Sequence, residues 1–447
     1  MPISFQSGHK KPVSSSSSIF LSILDRVASS SDQTANTSYK PPYRQASKIR
    51  MRPDGIVRKH RPDYFIILFM SVLMLIGLVL IYAISPQRVN ALNNAVGYEK
   101  YQQNYFFIKQ LVALGLCLVA FAIAGQFKIM YLKKHIKLIL TAGFVLAGFL
   151  WIGGVLKMPW AVCTYGACRW LNLGPLGGTL QVSEVLKFCL LIFFGFFWAY
   201  FMHKNQINSK SNLFYSAAIA VAAVTVVVVF QNDLGTGMSL IGILLAMVWA
   251  AGLNSKYILL LTGILLVGII GMVIVKPHRL ERVTTFLKGD NSQMTDDTRH
   301  IIESKIALGS GGLFGLGIGK SIQSTGYLPE AINDSIFAII GEVFGFVGAL
   351  IILALFAALL YRLLKGVAYS HNDFNRLIFA GVFGWVFAHV FINIGSMIGL
   401  IPMTGITLPF LSFGGTSMLF ISAALGLAFN MSQYTAHNLV EERVQNG

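Results

Sequence analysis

Tyr64-Phe65-Ile66-Ile67-Leu68-Phe69-Met70-Ser71-Val72-Leu73-Met74-Leu75-Ile76-Gly77-Leu78-Val79-Leu80-Ile81-Tyr82-Ala83-Ile84 runs without a single charge. About 20 apolar residues in a row cross a bilayer as one helix. The run is too long for a signal-peptide core and no small-residue cleavage site follows it, so it reads as a first span that stays in the membrane. Nine further apolar segments follow, near 106–126, 136–156, 184–202, 213–230, 235–253, 257–275, 335–360, 376–398 and 408–430. A chain that is 55% hydrophobic and 12% charged cannot hide such runs inside a soluble globule. The expected fold is therefore all-α: a polytopic membrane protein of about ten transmembrane helices.

The charge of +17 does not point to nucleic acid. Eleven Lys and Arg lie in the first 63 residues and most others flank apolar runs, with no basic and aromatic platform between them. Lys128, Lys133, Lys134, Lys204, Lys210, Lys256, Arg362 and Lys365 follow segments 2, 4, 6 and 8, whereas the connections after 1, 5 and 9 hold few cations. By the positive-inside rule both termini are cytoplasmic. Three parts result: a basic, Ser-rich, disordered tail over 1–63, a membrane domain over 64–431, and a cytoplasmic tail over 432–447. The patch Ile19 to Leu24 in the first tail is short and apolar, a candidate docking helix.

Two outer connections are long, 157–183 and 276–334, and the second separates segments 7 and 8. Its seven Lys and Arg do not oppose the topology, because long segments translocate regardless of charge. In the first, Cys163 and Cys168 bracket Thr-Tyr-Gly-Ala; free thiols or a local disulfide both fit, and zinc does not, for want of further ligands. Cys117 and Cys189 read as small core residues.

Tyr327-Leu328-Pro329-Glu330-Ala331-Ile332-Asn333-Asp334-Ser335 sets two carboxylates, Glu330 and Asp334, before an apolar run. Acids at the mouth of a membrane helix are costly, and the chain has only 18 in all, so this is the best place for chemistry. Upstream, Gly309-Ser310-Gly311-Gly312-Leu313-Phe314-Gly315-Leu316-Gly317-Ile318-Gly319-Lys320-Ser321 looks like a phosphate loop. The spacing requires Gly where Phe314 stands, and the side is wrong for ATP, so a glycine-rich backbone buried in protein or lining a cavity is expected instead. Gln181-Val182-Ser183-Glu184-Val185-Leu186-Lys187 reads as a helix start capped by Ser183. Its Glu184 and Lys187 make either a simple ion pair or a polar cluster facing an internal cavity. Gln231-Asn232-Asp233-Leu234 reads as a turn capped by Asp233 at the membrane edge. Pro409 to Ser417, with Ser412 and paired glycines, breaks an apolar run and suits close approach of a substrate.

Taken together, Arg169-Trp170 with Gln181 to Lys187, Gln231 to Thr236, Gly309 to Ala338 and Pro409 to Ser417 resemble the SEDS family of FtsW, RodA and SpoVE proteins. The blocks fall in family order across 64–430. The resemblance implies a peptidoglycan glycosyltransferase that polymerises lipid II, an undecaprenyl-pyrophosphate disaccharide pentapeptide, at the outer membrane face, with inversion. It maps the essential acid onto Asp334 and polar cavity residues onto Glu184, Lys187 and Asp233. Gln181, Glu330 and Ser412 join the substrate-binding candidates, and charge and side alone add Arg169, Arg282 and Lys187 for the pyrophosphate. The residues name no metal-ligand set, although Mg2+ or Mn2+ on the pyrophosphate would suit the chemistry. Implied partners are a class B penicillin-binding protein transpeptidase and divisome or elongasome membrane proteins.

The chain departs from the family pattern where Ile332-Asn333-Asp334-Ser335 replaces His-Thr-Asp-Phe, Asn232 replaces Pro, Val182 replaces Pro, and Cys168 replaces an arginine; the acids remain. Tyr327 to Ala331 and the long tail lean toward the division type and the septum. Thr404-Gly405-Ile406 and Glu303 to Gly312 lean toward the elongation type. Division is favoured. Two rivals of other classes are a lipid II flippase without chemistry, disfavoured by the lack of a repeat between halves, and a non-catalytic scaffold, disfavoured by Asp334.

Overall fold

A computed structural model of the chain describes residues 61–164, 167–174, 178–275, 280, 296–370 and 372–434. Arg282, the patch at 19–24 and nearly all of both tails lie outside them. Among the described residues eight helices are long and apolar enough to cross a membrane. They are α1 (Tyr64–Val96), α2 (Tyr105–Gln126), α4 (Ile136–Val155), α5 (Val182–His203), α6 (Lys210–Thr225, prolonged by a π-turn at Val226–Phe230), α10 (Ile336–Tyr369), α11 (Asp373–Met397) and α12 (Gly415–Ser432). The remaining two expected segments coincide with α7 (Leu234–Ala250), of 17 residues, and α8 (Ser255–Val275). A short α3 (Ile129–Lys134) links α2 to α4. Large apolar side chains such as Leu75, Val145 and Leu259 point outward, which only a hydrocarbon surrounding tolerates at this density.

Both long connections carry regular structure among their described residues. In the first, three strands form an antiparallel sheet in the order β1 (Ala161–Thr164), β2 (Ala167–Asn172) and β3 (Thr179–Gln181). Cys163 and Cys168 face each other across β1 and β2 and form a disulfide. Trp160 stacks on Phe149 of α4 with ring centroids 4.0 Å apart, anchoring the sheet to the bundle. The second connection carries a further helix, α9 (Asp296–Ser310), packed on α10.

The glycine-rich stretch after α9 is built into α10. Gly345 adopts φ 68° inside that helix and interrupts its ladder. The freed carbonyls of Glu342 and Val343 accept from Leu316 N and Gly317 N at 2.9 and 3.0 Å, and Phe346 N and Val347 N donate to the Gly312 and Leu313 carbonyls. Gly315, Leu316 and Gly317 thus direct their amides to protein carbonyls, and the stretch packs on α10 instead of forming a phosphate cradle. The Glu342 carboxylate accepts from the Ser321 hydroxyl at 2.5 Å and from Ile322 N at 2.8 Å, fastening the far end of the stretch.

α11 sits at the centre because its packing face is small. A Cβ on Gly384 would lie 2.5 Å from Gly242 O of α7, and one on Gly242 would lie 2.7 Å from the Ala388 methyl. Small residues at a crossing let membrane helices approach closely, where dispersion replaces the absent hydrophobic drive. The chain then leaves helical geometry from Ile398 to Gly414, so the last span begins at Gly415 rather than near 408. That irregular segment lies against α11, the start of α7 and the turn that carries Asp334.

Candidate active site

The site is assembled at one end of the bundle from β2, β3, the starts of α5, α7 and α10, and the loop before α12. α5 begins directly after β3, and its N-cap is Gln181; Ser183 lies buried in the first turn and does not cap it, contrary to expectation. One turn along, Glu184 Oε1 meets Lys187 Nζ at 2.8 Å, with both side chains buried. Lys187 also donates to Ser239 Oγ of α7 and meets His389 Nε2 of α11, each at 3.1 Å, and lies over the Trp385 ring at 4.8 Å. An ammonium can only donate, so His389 accepts through Nε2 and its Nδ1–H faces the Thr407 carbonyl at 3.2 Å.

This arrangement revises one expectation. Lys187 has no exposed surface, and Glu184, Ser239, His389 and the indole occupy its ammonium, so in this conformation it does not face an open cavity or a pyrophosphate. Taking a lone charge into a membrane interior is expensive, and the pair is tolerated because partners surround it.

Asp233 caps α7, as the turn predicts: Oδ1 accepts from Thr236 N at 3.0 Å and Oδ2 from the Thr236 hydroxyl at 2.9 Å. Gln181 Nε2 reaches the same Oδ2 at 3.1 Å, tying β3 to α7. Arg169 of β2 donates from Nε to Gln231 O at 3.1 Å and from Nη2 to Asn232 O at 2.7 Å, closing the turn before α7, where Asn232 holds φ 52°. Arg169 is half-buried, and these two bonds use two of its five donors. The Gln231 side chain is buried with neither amide atom bonded to protein.

Asp334 is half-buried in the turn before α10, whose N-cap is Ser335. Asn393 of α11 donates Nδ2 to the Asp334 carbonyl and to the Ile406 carbonyl, both at 2.7 Å. A Cβ on Gly405 would come 3.7 Å from Asp334 Oδ2, so the carboxylate lies against the loop beyond α11. Glu330 is exposed at φ 49°, and its carboxylate takes the Asn333 side-chain amide. Ser412 is buried, and its hydroxyl accepts from Leu408 N at 2.8 Å, shaping the loop rather than facing outward.

His389 and Asn393 are absent from the candidates drawn from sequence. They stand one turn apart on a single face of α11: His389 meets Lys187, Asn393 meets the Asp334 carbonyl, and both also hold the 406–407 backbone. Two polar residues four positions apart within a span were the available signal. Among the described residues no group of three or more His, Cys, Asp or Glu converges on a metal position. Glu330 and Asp334 share one turn, so an ion arriving with a substrate pyrophosphate would find carboxylate oxygens there but no closed cage.

A family model described as cell cycle protein, covering FtsW, RodA and SpoVE, matches residues 63–437. Stage V sporulation protein E of Bacillus subtilis (strain 168) is 32% identical over 383 residues, spanning 85% of this chain and 99% of that protein. A probable peptidoglycan glycosyltransferase FtsW of Enterococcus hirae is 32% identical over 410 residues, spanning 87% and 97%. Two solved structures share the fold. Rod shape determining protein RodA of Thermus thermophilus superposes with a TM-score of 0.56 at 22% identity, over 84% of this chain and 98% of that one. A chain from a peptidoglycan synthase complex superposes with a TM-score of 0.60 at 23% identity, over 83% and 97%. With the four motif blocks gathered at one end of a bundle of this fold, the chain belongs to the FtsW/RodA/SpoVE family of cell cycle proteins.

Proposed function

We propose that this multi-pass membrane protein is a peptidoglycan glycosyltransferase that polymerises lipid II at the outer face of the cytoplasmic membrane, with Asp334 as its base. The relatives named as peptidoglycan glycosyltransferases support the reaction class. The observation that carries the assignment is a half-buried carboxylate at the mouth of α10, fixed through its own carbonyl by Asn393 and lying against Gly405. The acceptor sugar's 4-hydroxyl attacks the anomeric carbon of the growing chain, its proton passes to Asp334, and the lipid pyrophosphate leaves with inversion. The remaining donors of half-buried Arg169 are the groups left to meet the pyrophosphate. Lys187, Glu184 and Asp233 hold the platform on which those groups stand.

On this reading both termini are cytoplasmic and the sheet, α9 and Asp334 face outward. A class B penicillin-binding protein is the partner of choice, since polymer needs cross-linking and a structural neighbour comes from a synthase complex. The division role at the septum is preferred to elongation on the sequence of Tyr327 to Ala331.

The test is glycan formation from lipid II by purified protein with its transpeptidase partner. Asp334→Asn should lower the rate by about 10²–10⁴-fold while the variant folds and inserts normally. A variant retaining more than about a tenth of the wild-type rate would show that Asp334 is not the base. A flippase without chemistry would give no glycan from the wild type.

A further inference from the structure

The hydroxyl next to Asp334 is held from outside its own segment. Ser335 is fully buried, and its Oγ lies 2.9 Å from the Pro329 carbonyl and 2.5 Å from His300 Nε2 of α9. A carbonyl only accepts, so the hydroxyl proton belongs to Pro329 O, and the imidazole supplies Nε2–H to the serine oxygen. Ser335 N closes the same turn on Glu330 O at 3.3 Å. The turn 329–335 is thus clamped by Ser335 from within and by His300 across the gap to α9. α9 itself is docked: buried Ser304 bonds the His300 carbonyl at 2.8 Å and approaches Met397 Sδ of α11 at 3.6 Å.

We propose that His300 is a positioning residue of the Asp334 site, whose Nε2–H fixes Ser335 and through it the direction in which the Asp334 carboxylate points. This rests on the polymerase reading above. α9 follows a long connection and packs on α10 and α11, and among the described residues this bond ties it to the turn that carries Asp334. Because the role asks for a donor at Nε2 and not for a titrating proton, a neutral amide at the same place should serve.

The experiment measures lipid II polymerisation by the full-length protein with its partner, for His300→Ala, His300→Gln, Ser335→Ala and the His300→Ala/Ser335→Ala pair. Misplacement of a reacting group by about 1 Å costs on the order of 10²-fold, so His300→Ala should lower kcat by about 10- to 100-fold. KM for lipid II should stay within about threefold, because ground-state binding is not the interaction removed. His300→Gln should restore most of the rate. The double variant should be no worse than the poorer single one, since both remove one interaction. Wild-type kcat in His300→Ala, equal failure of His300→Gln, or additive losses in the pair would each overturn the assignment. Wild-type protein making no glycan would overturn the polymerase reading, and this inference with it, whereas Asp334→Asn inactive beside a fully active His300→Ala would leave that reading standing and sink this one alone.

Discussion

Lys187 is the residue whose neighbours matter most to stability. Its ammonium answers Glu184 where both side chains are buried, so Lys187→Met alone should strand a buried carboxylate and cost about 3–5 kcal/mol. Glu184→Gln combined with Lys187→Met removes both charges and should recover much of that loss, read as melting temperature in detergent. A double variant as unstable as the single one would mean that His389 and Ser239, not the ion pair, hold the cluster. Asn393→Ala is the companion case: two carbonyls lose their donor, and an unsatisfied buried group costs about 1–3 kcal/mol. Polymerisation should fall with it, because one of those carbonyls belongs to Asp334. The Glu184–Lys187 pair was legible in sequence because helix geometry puts them on one face. His389 was not, since in the sequence it is one histidine inside an apolar run and its partner is 202 positions away.

At the scale of the element, α10 and the stretch that mends its break form one unit. A Cβ on Gly311 would sit 1.9 Å from Gly341 O, and Gly345 needs a backbone that side chains rarely adopt. Gly311→Ala, or Glu342→Ala with its loss of the Ser321 and Ile322 bonds, should loosen residues 311–326. Limited trypsin digestion should then cut faster at exposed Lys320, and unchanged cleavage would show that the stretch is held some other way. The sheet should be more forgiving. The disulfide closes a loop of sequence separation 5, worth at most about 2 kcal/mol by loop entropy, so Cys163→Ser/Cys168→Ser should keep the fold. Mass spectrometry of alkylated, non-reduced wild type checks the bond, and the melting temperature checks its worth. The sequence marked both elements by their glycines and cysteines; that one mends a helix and the other is a hairpin depended on partners elsewhere in the chain.

For the whole molecule the testable property is orientation. Cysteines placed at exposed Glu330 and Lys204 should react with an impermeant thiol reagent from the outer and the cytoplasmic side respectively. Labelling of position 330 from the cytoplasm would invert the topology and remove the active-site assignment with it. The all-α polytopic membrane fold and the approximate limits of its apolar segments were determined by the sequence alone, and the proposal for Asp334 starts from the same reading. Hydrocarbon excludes unpaired backbone and unpaired charge, so apolar length and misplaced acids are written directly in composition. Where α12 begins, that Ser183 is not a cap, and that Lys187 points inward to His389 were decided only by the tertiary structure. Such features depend on which helices meet, and that was set by close approach at Gly242 and Gly384, which brings α11 to the centre and its His389 and Asn393 between two motifs far apart in the chain. Periodicity reports which face of a helix is apolar; it carries no information about which partner that face will find.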